Sequence, residues 1–415
     1  MRIAIVSDAI YPWHTGGKET RYHELEQGLR ARGHDVDVHT MRWWQDDAID
    51  DRRVPGAGRG RGGKLRTYRR SDGAVLRAIT PRIDMYTKGR RSVTQGVLFA
   101  AGCLRLLGAK MDVIEADHMP GPQLYPLWLV SRIRRKPLVV TWHEYWGRET
   151  WERYLGPIGR IAALIERVGA RLPDRIVAVS EGTAAALCAD GVDPDRILIA
   201  PNGVRAEPSG ERLPRRGAIA VGRLIEHKRF DLAIETVRRL NEQGEPTELT
   251  IIGEGPERER LEALAAGSGI GEKITFLGTL PTQDDVWAKI AAAEVLIAGS
   301  EREGFGLALA EALTLGTPAV VSDHPDNMSK DLVREGSTGA IAQAGDPKSF
   351  TDAYLRCRDL QHAKVAQRFT DEHPGLGWDR VVDTHLEAYR AAIAGRRKRN
   401  PRIRNNDRNM TKGTR

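Results

Sequence analysis

The residues best placed to do chemistry lie in one glycine-rich stretch, Gly299-Ser300-Glu301-Arg302-Glu303-Gly304-Phe305-Gly306, which follows an apolar run at 295–298 and opens a helical pattern at 307–315. Glu303 and Glu311 are separated by seven residues. At a helix entrance the first backbone N–H groups have no intrahelical partner, and the helix dipole favours an anion there. Gly304 and Gly306, with Phe305 and Leu307, leave those amides open to phosphate or sugar oxygens. Two carboxylates on this loop and helix can accept hydrogen bonds from different hydroxyls of one extended ligand, each bond to a charged group contributing about 1.5–3 kcal/mol.

A loop of this kind acts only when a rigid element aims it. Short β-branched runs at 2–6, 36–40, 113–116, 138–142, 176–180 and 197–200 alternate with amphipathic stretches, and the pattern begins again at 218–221, 249–252, 274–277, 295–298 and 319–322. Strands separated by helices imply parallel sheets covered on both faces, so the expected fold is α/β with two Rossmann-like, doubly wound domains. Open parallel sheets bind ligands at the carboxyl ends of their strands, and two such sheets facing each other make one cleft. Pro201-Asn202-Gly203 reads as a turn, and the polar run 205–216, with Pro208 and Pro214, reads as a linker. The expected organisation is a first domain at 1–205, a second at 216–375, a closing helix at 376–394 and a basic, disordered tail at 395–415.

Here the residues resemble a known family. Glu303 and Glu311 in EGFGLALAEALTLGTPAVVS are similar to the E-x7-E motif of retaining GT-B glycosyltransferases, family 4. Val221-Gly222-Arg223-Leu224 with Lys228 resembles that family's second signature, whose Arg and Lys bind the donor diphosphate. Further matches are Pro201-Asn202-Gly203-Val204, the stretch Ile251-Ile252-Gly253-Glu254-Gly255-Pro256, and Gly278-Thr279-Leu280, where the family places the nucleotide base. In the first domain His14-Thr15-Gly16-Gly17 follows the first strand as in the family, where the paired glycines approach the donor phosphate, and His143 resembles the histidine that contacts the donor sugar.

The resemblance implies transfer of a hexose from a UDP- or GDP-linked sugar to a saccharide or lipid-linked acceptor, with retention and without a metal or a resident cofactor. It assigns Glu303, His143, Lys228 and Arg223 to catalysis. Donor contacts fall to Gly16, Gly17, Arg223, Lys228, Gly253, Leu280, Glu303, Gly304, Phe305, Gly306, Leu307 and Glu311. Fixed cations stabilise charge building on a leaving diphosphate, and each removes roughly 3 kcal/mol from the barrier. Two departures stand out: Asp323-His324-Pro325-Asp326-Asn327-Met328 replaces a glycine pair and a Glu, and Arg229 replaces a glycine after the signature lysine.

Plainer readings stand beside these. Arg223 and Lys228 fit a surface charge pair, His143 and His118 fit structural histidines, and Gly16-Gly17 fits a turn. Trp142, Tyr145, Trp146, Trp151 and Tyr154 fit either an acceptor groove or ordinary core. Asp35-Val36-Asp37 has D-x-D spacing but enters a strand, and no G-x-G-x-x-G follows the first strand, which argues against a nicotinamide dehydrogenase. A sugar-nucleotide epimerase and a non-catalytic binder of sugar nucleotides or anionic surfaces are the competing functions.

Composition narrows the partners. The formal charge is +8, yet 395–415 alone holds nine Lys/Arg against one Asp, so the body is neutral and no nucleic-acid partner is expected. A second basic run, 52–70, has eight Lys/Arg and no acid. Both fit solvated segments or contacts with an anionic membrane. The apolar window 96–107 is too short to span a bilayer, and Cys103, Cys188 and Cys357 are isolated. A cytoplasmic protein, peripheral at a membrane at most, is the expectation.

Overall fold

The computed structural model describes residues 1–14, 16–44, 67–87, 90–205 and 214–399. These form two compact units, one of Met1–Pro201 with the chain from Asp379 onward, the other Asn202–Trp378. Unit 1 contains β1 (Arg2–Val6), α1 (Gly17–Ala31), β2 (Asp35–Met41), β3 (Thr67–Arg69), β4 (Val75–Thr80) and a two-residue hairpin, β5 (Tyr86–Thr87) with β6 (Arg90–Arg91). It continues through α2 (Val93–Cys103), β7 (Val113–Asp117), α3 (Leu124–Arg134), β8 (Leu138–Trp142), α4 (Gly147–Leu155), α5 (Gly159–Gly169), β9 (Arg175–Ala178), α6 (Glu181–Ala189) and β10 (Ile197–Ile199). Unit 2 runs through β11 (Ala218–Val221), α7 (Phe230–Glu242), β12 (Leu249–Ile252), α8 (Arg258–Gly267), β13 (Ile274–Gly278), α9 (Gln283–Ala291) and β14 (Val295–Ala298). Then follow α10 (Leu307–Thr314), β15 (Ala319–Ser322), β16 (Gly339–Ala342), α11 (Pro347–Arg358), α12 (His362–Glu372) and the long α13 (Trp378–Arg399).

The sheet of unit 1 has the order β10-β9-β8-β7-β1-β2-β4-β3, parallel except for β3. Every residue of β7 and β8 is buried, as expected of strands covered on both faces. Unit 2 has the order β13-β12-β11-β14-β15-β16, all parallel. In both sheets the chain starts centrally, winds one way and then reverses, so a topological switch point falls between β1 and β7 and between β11 and β14. The loops at those two points carry most of the expected site residues.

Local signals fix several helix starts: Ser180 accepts from the Thr183 N–H, and Thr282 with Asp285 forms a capping box. Helix α13 packs on unit 1, with Val382 and Tyr389 in its core and His385 within 3.1 Å of Thr141. Gly28 makes room for it, since a Cβ there would lie 2.5 Å from Val382.

Two expectations require correction. The closing helix continues past residue 394 to Arg399, and Arg396 pairs with Asp174 at 2.7 Å, so residues 395–399, expected in a disordered tail, are helical. The basic run 52–70 does not stay a loop to its end: Thr67–Arg69 is a strand, and Arg70 pairs with Glu26. The remainder of that run, most of the expected linker, and 400–415 lie outside the described residues.

Candidate active site

In unit 2 the loops after β11 and β14 meet. The Glu301 N–H donates to the His227 carbonyl at 2.8 Å, and the Lys228 ammonium is paired with the Glu303 carboxylate. Both side chains of that pair keep about a fifth of their surface exposed. Beside them Gly306, at φ 85°, begins α10 without any side-chain cap, and the first helical amides stay open. A Cβ on Gly306 would stand 2.5 Å from that of Ser329, so this left-handed, crowded position needs glycine. Gly304 and Phe305 are buried, whereas Leu307 is partly exposed.

The glycine-rich segment after β12 buttresses the same end of the sheet. A Cβ on Gly253 would lie 1.9 Å from the Gly222 carbonyl oxygen, and one on Gly255 2.1 Å from that of Leu224. The Leu224 N–H donates to the Glu254 carbonyl at 2.9 Å, which fixes the loop carrying Arg223, an exposed residue. Gly253 is therefore a spacer between backbones. Leu280 is half-buried past the end of the edge strand β13, and no described contact joins it to the Lys228–Glu303 pair.

Glu311 departs from the sequence expectation. It is 5% exposed, accepts from the Gln283 amide at 3.2 Å, and burial pushes its carboxyl up to about 7. Glu303 and Glu311 are thus unequal, one accessible and ion-paired, the other buried with its carboxyl raised. Packing explains this, because the five consecutive residues 309–313 are all buried, so α10 is covered on every side there and Glu311 is enclosed with its neighbours.

Both departures from the family pattern have structural counterparts. Arg229 sits at φ 52°, the left-handed conformation that a glycine would adopt without strain. Bonds to Asp231 at 3.0 Å and Glu301 at 2.7 Å hold it there. The segment 323–328 folds onto the Glu303 loop: Glu303 N–H donates to the Asp326 carbonyl (3.2 Å) and Met328 N–H to that of Glu303 (2.8 Å). Asn327, fully buried, donates to the Ser322 carbonyl and accepts from Ser329.

In unit 1 Gly16 is the N-cap of α1 at φ −178°, which any residue adopts, and a Cβ on Gly17 would meet nothing within 4 Å. The backbone does not demand a glycine at 16, and neighbouring packing does not demand one at 17. Thr15 between them and His14 lies outside the described residues.

The sequence reading missed what stands next to this turn. Lys18 reaches Asp8 at 2.7 Å and Asp117 at 2.9 Å, two carboxylates with no exposed surface at the ends of β1 and β7. Burial alone would raise the Asp117 carboxyl, but the Lys18 ammonium beside it holds it well below the usual range. Its signal in the sequence was the position of both acids at strand ends beside a glycine pair.

His143 follows β8, and burial holds its imidazole well below its ordinary value, so the ring is neutral. Its Nε2 is buried without a hydrogen bond, the Asp117 carboxylate being 3.9 Å away. His118 stacks on Trp142 and accepts from the His143 N–H at 3.3 Å, a structural placement.

Trp142 belongs to the core, whereas Trp146, Trp151 and Tyr154 form a half-buried cluster tied by the Trp151 indole to Glu166. Asp37 pairs with Arg77 at 2.9 Å. Among the described residues one trio, His23, Glu26 and Asp72, gathers metal-ligand atoms, and Arg30 and Arg70 already engage its carboxylates.

Two doubly wound parallel units, each with its polar loops at the switch point, define a GT-B glycosyltransferase fold. Comparison with known proteins agrees. The family described as Glycosyl transferases group 1 matches residues 206–371, and that described as Glycosyltransferase Family 4 matches 15–207. The 2-deoxystreptamine glucosyltransferase of Streptomyces kanamyceticus is 30% identical over 271 residues, 59% of this chain and 68% of that protein. The D-inositol 3-phosphate glycosyltransferase of Acidothermus cellulolyticus is 27% identical, over 92% of this chain and 87% of its own length. Among solved structures, sucrose-phosphate synthase from Thermosynechococcus elongatus superposes with a TM-score of 0.71 at 17% identity, covering 95% of this chain and 99% of that one. The chain belongs to the group 1 glycosyltransferases and is a glycosyltransferase that uses a sugar-nucleotide donor.

Proposed function

We propose that this enzyme moves a hexose, with retention of configuration and without a metal, from a UDP- or GDP-linked sugar to the hydroxyl of a saccharide or lipid-linked acceptor. The observation that carries this reading is the Lys228–Glu303 pair at the unit 2 switch point, beside the uncapped start of α10. An entering diphosphate replaces the Glu303 carboxylate as the partner of Lys228. Arg223 and the open amides supply further positive charge, and the freed Glu303 accepts from sugar hydroxyls. As the bond from the anomeric carbon to the diphosphate oxygen breaks, the fixed cations take up the developing charge. The acceptor hydroxyl attacks the face from which the diphosphate leaves, forms the new glycosidic bond and passes its proton to a diphosphate oxygen.

The relatives support both nucleotide choices. A solved Anabaena protein, HepE, holds UDP and glucose, and a Mycobacterium tuberculosis relative is named as GDP-mannose-dependent. Nucleoside diphosphate release from a panel of UDP- and GDP-sugars, with saccharide and lipid-linked acceptors, tests the proposal. Acceptor-dependent release that falls about a hundredfold in Lys228→Ala and Glu303→Ala is expected. Unchanged rates overturn the residue assignment, and product formed without acceptor indicates an epimerase instead.

A further inference from the structure

The right-handed crossovers from β4 to β7, β7 to β8 and β8 to β9 all step the same way along the unit 1 sheet, so α2, α3 and α5 lie on one face of it. The Tyr125 hydroxyl on α3 donates to the Ile165 carbonyl of α5 at 2.8 Å, confirming that these helices are neighbours. Their outer surface is unusual for a water-facing one. On α5 and the residue before it, Ile158, Ile161 and Leu164 are 66%, 60% and 58% exposed, and Ile165 and Val168 complete the same stripe. Val97 and Leu98 on α2, and Leu129 and Ile133 on α3, are exposed as well. Large apolar side chains exposed together on neighbouring helices mark an interaction site.

Charge decides among occupants. The elements α2, α3, α5 and the 3-10 turn Leu104–Gly108 expose Arg105, Arg132, Arg134, Arg160 and Arg167. Their sole carboxylate, Glu166, is buried and accepts from the Trp146 and Gly147 amides and the Trp151 indole. Arg160 and Arg167, seven residues apart, run along one edge of the apolar stripe. Each reaches one carboxylate of a neighbouring element, Glu152 or Asp190, with more than half of its own side chain still exposed. A second copy of the chain would bring two like-charged, arginine-rich faces together across a two-fold contact. An anionic bilayer satisfies both features, because apolar side chains enter the acyl boundary while arginines remain among the headgroups.

We propose that the α2–α3–α5 face of unit 1 docks the enzyme on an anionic lipid surface. This is independent of the donor assignment and differs from attraction through the basic segments of the sequence, because it requires apolar insertion. The test is co-sedimentation of the full chain with vesicles of equal parts phosphatidylglycerol and phosphatidylcholine, without donor or acceptor. Wild-type protein is expected to bind. Ile161→Ser/Leu164→Ser, which leaves every charge in place, should weaken binding about tenfold or more. Arg160→Gln/Arg167→Gln should weaken it and flatten its salt dependence. Both variants should keep the wild-type circular dichroism spectrum and nucleoside diphosphate release with a soluble acceptor. Absence of wild-type binding, or equal binding by the Ser/Ser variant, overturns the proposal. So does a concentration-dependent dimer, seen by light scattering, that the Ser/Ser variant loses while its vesicle binding stays intact.

Discussion

Each unit places a lysine at its switch point, and the two lysines live under different conditions. Lys18 is held between two carboxylates without exposed surface, so its charge is consumed within the fold. Lys228 meets one carboxylate, and both partners keep water contact. The difference teaches that position in the topology does not by itself assign a role. A cation that must receive an incoming anion needs a partner it can exchange, whereas a cation neutralising buried acids is part of the scaffold.

The largest effect should come from Lys18→Met, which leaves Asp8 and Asp117 buried without their cation and should destabilise unit 1 by about 3–5 kcal/mol. Lys228→Met breaks a partly exposed pair and should cost no more than about 1 kcal/mol. Thermal unfolding of the two variants side by side breaks the comparison if they melt alike. Next comes turnover: Lys228→Ala should lower kcat about a hundredfold, an effect of roughly 3 kcal/mol on the barrier, with the unfolding temperature little changed.

Glu311 sharpens the comparison through pH. Its carboxyl is raised to about 7 by burial, so the folded state binds the proton more tightly than the unfolded chain. The stability this contributes is complete below about pH 4.5 and is lost as pH rises through about 7. In wild-type protein unit 2 should weaken over that window by up to about 3 kcal/mol, and Glu311→Gln should remove that slope in denaturant titrations. The smallest expected change in stability belongs to Gly17→Ala, within about 0.5 kcal/mol, since its Cβ meets nothing. Its effect should appear instead as a higher KM for the donor in steady-state kinetics.

The two-sheet plan was legible because buried parallel strands such as β7 and β8 are short, nearly continuous apolar runs with a fixed spacing. Strand β16, Gly-Ala-Ile-Ala, was not, since it has one β-branched residue and gains its place by pairing with β15. Strand β4 was missed for a related reason, with Arg77 and Ala78 interrupting its pattern. Motif spacing pointed to Lys228 and Glu303, which the fold brings into contact across 75 residues of sequence. It could not show that Glu311 is buried, because E-x7-E spacing is silent about the packing that covers α10 on every side over residues 309–313. Nor could it pair Lys18 with Asp117, a contact created by the adjacency of β1 and β7. The glycine replaced by Arg229 read as a departure in sequence, yet the backbone keeps the glycine-like conformation.

In the proposed mechanism Lys228 exchanges Glu303 for a diphosphate. Calorimetric titration of UDP and GDP into wild-type, Lys228→Ala and Glu303→Gln protein tests it most directly. One nucleotide should bind, weakened at least about tenfold in Lys228→Ala by the loss of one charge-assisted contact, while Glu303→Gln should bind the bare nucleotide as well as wild type or better. Equal affinity in wild type and Lys228→Ala would contradict it.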